Sequence, residues 1–203
     1  MRPFLDTHGV ETYMYVRDAK NREEVWLLDR IEEMGLDETA FRSRDYVIAI
    51  DEETNEKAGF GRIRIHKSDD PICELTSIGV LETWRGQGVG AHVIERLVQK
   101  ASDEDFSVVY SLTDQPEYLA QFGFEPVDTE KLPEKLQERL TEKRESIQPD
   151  AVPTRLQVTE FQVPSDRREA FKAADADVSD EPTESPEDFG IDPDEATYKY
   201  DTS

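Results

Sequence analysis

Arg85 is followed by three glycines at alternate positions, in the run Arg85-Gly86-Gln87-Gly88-Val89-Gly90-Ala91. This composition suits an anion. Glycine allows a tight turn and lets a ligand approach the main chain. If a helix starts at the run, its first amide N–H groups have no helical partner and point out of its end, ready for a phosphate. Other residues with reactive side chains are sparse. His8, His66 and His92 are scattered without metal-ligand spacing, so no metal is expected. Cys73 is the single cysteine, which excludes an intrachain disulfide and a cysteine-based metal cluster.

The elements around the run must position it. Upstream, Glu74 to Leu81 reads as a buried strand carrying Leu75, Ile78, Val80 and Leu81. Downstream, Val93, Ile94, Leu97, Val98 and Ala101 fall at helical spacing, giving a helix from about Val89 to Ala101. The turn between them spans Glu82 to Gly90.

Taken in order, Glu11–Arg17 reads as a first strand and Ala19–Met34 as a helix stopped at Gly35. Asp37–Arg42 suggests a short helical turn. Asp45–Ile50 and Ala58–His66 read as hairpin strands around a polar turn. Short turns between three successive strands make them antiparallel. Phe106–Leu112 reads as a wholly apolar, buried strand, joined to the Glu74 strand by a helix and therefore parallel to it. Pro116 suits the first position of a short helix, Glu117–Phe122, ended by Gly123. Phe124–Val127 is a strand fragment, Lys131–Ile147 an amphipathic helix and Thr154–Val163 a last strand. The expected domain is residues 1–163.

From Pro164 the chain turns rich in Asp, Glu, Pro, Ser and Thr, and residues 164–203 read as a disordered acidic tail. The acidity is general: 47 acidic against 24 basic residues give a net charge of −23, which argues against nucleic-acid binding. An acidic surface with more Arg than Lys is what a halophilic cytosol favours, and an acidic protein with an acidic tail is the alternative. No signal peptide and no apolar run of about 18 residues is visible, so a cytoplasmic protein without membrane partners is expected.

Several ligands compete for the glycine run. A P-loop needs Gly-Lys-Ser/Thr, which is absent. A dinucleotide fingerprint can be drawn through Gly86, Gly88 and Ala91, but it belongs in a repeating β-α-β sheet and here hairpins precede it. A bare chain reversal would also use glycine. Arg85-x-x-Gly88-x-Gly90 resembles the Arg/Gln-x-x-Gly-x-Gly/Ala motif of the GCN5-related N-acetyltransferase (GNAT) superfamily, which lies between that family's fourth strand and third helix. The order β-α-α-β-β-β-α-β-α-β over about residues 11–163 is similar to the family's core, and Gly123-Phe124 looks like its Gly-Phe strand start. Two positions depart from the family pattern. Leu81-Glu82 follow Val80 where many members carry proline, and Leu119 stands where many carry tyrosine.

The resemblance implies an α/β fold of the α+β type: the GNAT fold, with a mixed, mostly antiparallel central sheet flanked by helices. It implies acetyl-CoA as cosubstrate, no metal, and transfer of the acetyl group to an amine. Backbone amides of Arg85, Gly86, Gln87, Gly88, Val89, Gly90 and Ala91 would hold the pyrophosphate. The pantetheine arm would run beside Ile78, Gly79 and Val80 like an added strand, with the Ile78 N–H facing the thioester oxygen. Glu74 is the candidate base, on the strand face expected to carry Thr76, Ile78 and Val80 as well, and His66 is an alternative. Tyr118, one residue from the family's tyrosine position, is the candidate acid for the leaving thiolate. The acceptor expected is the primary amine of a small molecule or amino acid. A protein lysine or N-terminus, or a non-catalytic acyl-CoA-binding regulatory domain, are the alternatives. The helix from Lys131 and the strand from Thr154 would shape the acceptor side or a homodimer contact.

Overall fold

The computed structural model describes residues 14–173. The expected strand residues Glu11–Tyr13, His8, and the tail from residue 174 lie outside the described residues. Seven strands form one sheet in the order β1-β2-β3-β4-β5-β7-β6. They are β1 (Met14–Asp18), β2 (Tyr46–Asp51), β3 (Lys57–His66), β4 (Ile72–Val80), β5 (Val108–Thr113), β6 (Glu125–Pro126) and β7 (Val152–Gln157). Every pairing is antiparallel except β4 with β5, which is parallel, as the intervening helix requires. The helices are α1 (Glu24–Glu33), α2 (Val89–Asp103), α3 (Pro116–Ala120), α4 (Glu134–Ser146) and α5 (Ser165–Ala173).

The two faces of the sheet are covered by different helices. Gly59 and Gly61 of β3 leave space for α2. A Cβ on Gly61 would lie 2.7 Å from Val93 Cγ1 and 2.8 Å from Leu97 Cδ1, so the helix sits against the bare backbone. The opposite face receives α1, where Trp26 meets Phe60 edge-on at 5.9 Å, and α4. Beneath α4 lies a small second core of Leu112, Leu132, Leu136, Leu140 and Ala151.

Four expectations need correction. Asp37–Arg42 forms no helix; Asp37 instead accepts the Thr39 amide at 2.9 Å and is buried, which turns the chain without a helical ladder. The strand expected at Phe106–Leu112 begins two residues later, because Asp105 adopts φ 66° and the Phe106 amide closes on Ala101 O. It is also not wholly buried: Val108, Tyr110 and Thr113 are partly exposed. Residues 165–173, expected within the disordered tail, form α5, whose Phe171 packs on the main core.

The fourth correction concerns β4. Phe60 pairs with Gly79 but Arg62 pairs with Thr76, so Ser77 and Ile78 both stand opposite Gly61. Ser77 has φ 52°, the mark of a bulge that inserts one residue and reverses the alternation. Glu74 and Thr76 therefore face the α1/α4 side. Ile78 contacts the Gly61 position on the α2 side, and Val80, paired with Gly59, follows it. The four do not share a face.

Candidate active site

The β4 bulge lies where the sheet opens. β4 and β5 pair only at Glu74 and Tyr110. One residue further on, the Ser111 hydroxyl donates to Leu75 O at 3.0 Å, and beyond that the strands part. Ser77 and Ile78 have no one-to-one partner in the β3 register. A cleft of about 60 Å³ occupies the opening, room for about four water-sized bodies. Its lining includes Asp37, Thr76, Ser77, Asp114, Tyr118 and Lys143.

The glycine turn closes one end of this arrangement. Gly86 and Gly88 adopt φ 79° and 73°, the left-handed conformation that glycine tolerates. Gly88 caps α2, whose first residue is Val89. Arg85 is buried, and its Nε donates to Val80 O at 3.2 Å, so the side chain braces the turn against the end of β4. Gln87 does the same locally through Thr83 O at 3.2 Å. What this turn offers a ligand is backbone. α5 lies directly over it: a Cβ on Gly88 would fall 2.2 Å from Arg167 O and 2.9 Å from Phe171 N. The Phe171 ring stacks on His92 at 3.7 Å, in the first turn of α2.

Glu74 is fully buried, and its Oε2 is held by His66 Nε2 at 2.8 Å and Arg139 Nε at 3.5 Å. Arg139 also pairs with Asp37. Burial pulls the Arg139 guanidinium below its ordinary range, against the neighbouring Glu142 charge that raises it. Glu74 Oε1 and the Thr76 hydroxyl make no hydrogen bond among the described residues. Thr76 lies two residues on, on the same face, and does line the cleft; Glu74 lies behind that lining. His66 is thus tied to Glu74 rather than standing as a separate base. Tyr118 lies in the cleft wall, buried, with its ring edge-on to Phe122 at 5.2 Å and the Arg167 guanidinium 5.7 Å from its centroid.

Lys143 is the residue that sequence reasoning missed. It projects from α4 into the cleft, is 5% exposed, and donates to Leu112 O at 2.7 Å. Burial pushes its ammonium down to about 8, with Arg139 acting in the same direction and Glu74 and Asp114 opposing it. A signal was present. Leu136, Arg139, Leu140 and Lys143 fall at helical spacing on one stripe, so the buried face of α4 carries two cations among its leucines. Cys73 is inert packing, its thiol pushed far up by burial and by the Glu74 charge beside it.

A parted parallel pair, a bulge at its mouth and a glycine turn leading into a helix thus meet in one place. The family model for the acetyltransferase (GNAT) family matches residues 11–124, more than half of the 203-residue chain. The chain belongs to that family, whose members are acetyl-CoA-dependent acyltransferases. An uncharacterized N-acetyltransferase of Chlorobaculum tepidum is 28% identical over 65 residues, which are 32% of this chain and 42% of that protein. The chain thus matches less than half the length of that curated relative. Among solved structures, N-acetylglutamate synthase from Neisseria gonorrhoeae, complexed with coenzyme A and N-acetyl-glutamate, superposes with a TM-score of 0.60 at 14% identity, over 72% of this chain and 35% of that one. Rv2747 from Mycobacterium tuberculosis, in complex with CoA and NLQ, gives 0.59 at 17% identity over 70% and 98%. These likenesses concern the fold. The antiparallel run of β1 to β4 before the glycine turn removes the dinucleotide reading. Among the described residues, no group of His, Cys, Asp and Glu could hold a metal ion, and no helix is long and apolar enough to cross a membrane.

Proposed function

We propose that the protein transfers the acetyl group of acetyl-CoA to a primary amine of a small molecule or amino acid, by direct attack of the amine on the thioester. The observation that carries this reading is the opening of the sheet beyond the Glu74–Tyr110 pair, immediately before the glycine turn. The free β4 edge suits the amide-bearing pantetheine arm as an added strand along Ile78, Gly79 and Val80. The amides from Arg85 to Ala91 then take the pyrophosphate. The Ile78 N–H, at the bulge, serves the oxyanion that forms when the amine adds to the thioester carbon.

Proton transfer follows from the two sides of the cleft. Glu74 is the base. Its Oε1 has no hydrogen-bond partner among the described residues, and a water or Thr76, on the same strand face, carries the ammonium proton to it. Tyr118 donates to the thiolate as the carbon–sulfur bond breaks. A small acceptor is favoured over a protein lysine or N-terminus because α4 covers the acceptor side of a narrow cleft. The test is thiol release from acetyl-CoA with a panel of amines, at low and high salt, for the wild type and Glu74→Gln. Turnover that falls by about 10²-fold or more in the variant supports the reading. CoA binding without turnover of any amine leaves the non-catalytic acyl-CoA-binding alternative.

A further inference from the structure

Lys143 presents a buried charge in search of a partner. The lysine comes within ion-pair distance of no carboxylate among the described residues; its single hydrogen bond goes to a neutral carbonyl, Leu112 O. Buried cations are ordinarily paired, since an uncompensated charge away from water is costly. The charged groups that act on it are Glu74 from β4, Asp114 from the loop after β5, and Arg139 from its own helix. Glu74 is already engaged by His66 and Arg139. Asp114 is held by Gln148 at 3.4 Å on one oxygen and, with Asp37, gives the same lining two carboxylates. Lys143 and Asp114 thus bring opposite charges to one lining, around a volume of about 60 Å³, while Asp37 there is paired with Arg139.

We propose that Lys143 binds the carboxylate of the acetyl acceptor, so that the acceptor is an amino acid rather than a simple amine. The inference rests on the transferase reading above and names the substrate class of the same site. The acceptor's ammonium lies toward Asp114, and its carboxylate supplies the ionic partner that Lys143 lacks.

The test sets several α-amino acids beside their amides and their decarboxylated amines, with full-length wild type, Lys143→Met and Lys143→Arg. In wild type the amino acid is preferred by tenfold or more in kcat/KM. Lys143→Met removes that preference through KM, and Lys143→Arg restores part of it. Equal use of amides and amines by wild type, or an unchanged preference in Lys143→Met, overturns the carboxylate role while leaving the transferase standing. If no amine turns over, the transferase reading fails. The carboxylate role is then judged by calorimetric titration of the CoA-loaded chain. Amino acids binding to wild type but not to Lys143→Met support it, and equal or absent binding overturns it.

A separate observation concerns α5. Its backbone occupies the contact space of Gly88, where the pyrophosphate of the reading above would sit. Its anchors are a Phe171–His92 stack, an Arg168–Glu95 pair at 2.8 Å that stays open to water, and Arg167 on Gln121 at 3.3 Å. We infer that α5 competes with the cosubstrate for the glycine turn and must lift before acetyl-CoA binds. Amide hydrogen exchange of residues 165–173 should quicken several-fold when CoA is added to the full chain. Phe171→Ala should lower the CoA Kd by about three- to tenfold. Unchanged or slowed exchange, or an unchanged or raised Kd, overturns the inference alone. CoA binding to neither protein overturns the pyrophosphate assignment and this inference with it.

Discussion

Replacing Lys143 with methionine should make the protein more stable. The side chain is 5% exposed, and its pKa falls from 10.5 to about 8. At 1.36 kcal/mol per pKa unit, that fall corresponds to about 3 kcal/mol carried against the fold by the protonated form. Methionine keeps the length and removes the charge. The change also strips the donor from Leu112 O. Leaving that carbonyl unpaired costs about 1 kcal/mol. The net expectation is a gain of about 2 kcal/mol near pH 7, or about 4–8 °C in Tm for a chain of this size. The pH dependence has a definite sign. Below pH 8 lysine is protonated in both folded and unfolded chains, and the wild type bears the whole cost. Between about 8 and 10.5 the folded state gives up its proton first, and the difference between variant and wild type shrinks. Denaturant unfolding of both proteins at pH 7 and near pH 10 measures it. A variant less stable than wild type at pH 7, with no narrowing at high pH, would refute the reasoning.

Other consequences are more local. Tyr118→Phe keeps the ring contact with Phe122 and should lower kcat by about 10²-fold with little change in the KM for acetyl-CoA, read by steady-state kinetics. Gly61→Ala drives a Cβ into Val93 and Leu97 on the underside of α2 and should cost about 1–3 kcal/mol, seen as a lower denaturation midpoint. Cys73, buried and pushed up by desolvation, should resist thiol reagents at pH 8 in the native protein and react fully once the chain is unfolded.

What could be read in the sequence follows the range over which its signals act. The glycine turn was legible because backbone conformation there depends on a few adjacent residues: Gly86 and Gly88 take the positive φ that their type permits. The meander before it was legible because short polar turns leave successive strands only antiparallel pairing. The helix over Lys131–Ile147 was recognised by its leucines, and its observed bounds, Glu134–Ser146, differ by one to three residues.

Three features depended on tertiary structure. The bulge at Ser77 arises from β4 pairing with β3, and one inserted residue turned Glu74 away from the face of Ile78. No alternation rule applied to β4 alone detects that reversal, since the extra residue is defined by its partner strand. Lys143 became a cleft residue only when α4 packed across the opening between β4 and β5. In sequence it is one charged residue in a strongly charged helix. The contact of α5 with Gly88 joins residues about 80 positions apart, and an acidic, aliphatic-poor composition hid a helix whose Phe171 finds its partner on α2. The sequence by itself determined a glycine turn between a strand and a helix. The tertiary structure decided which charges face the cleft beside it and what lies over its entrance, because both are set by contacts between elements that local chemistry does not encode.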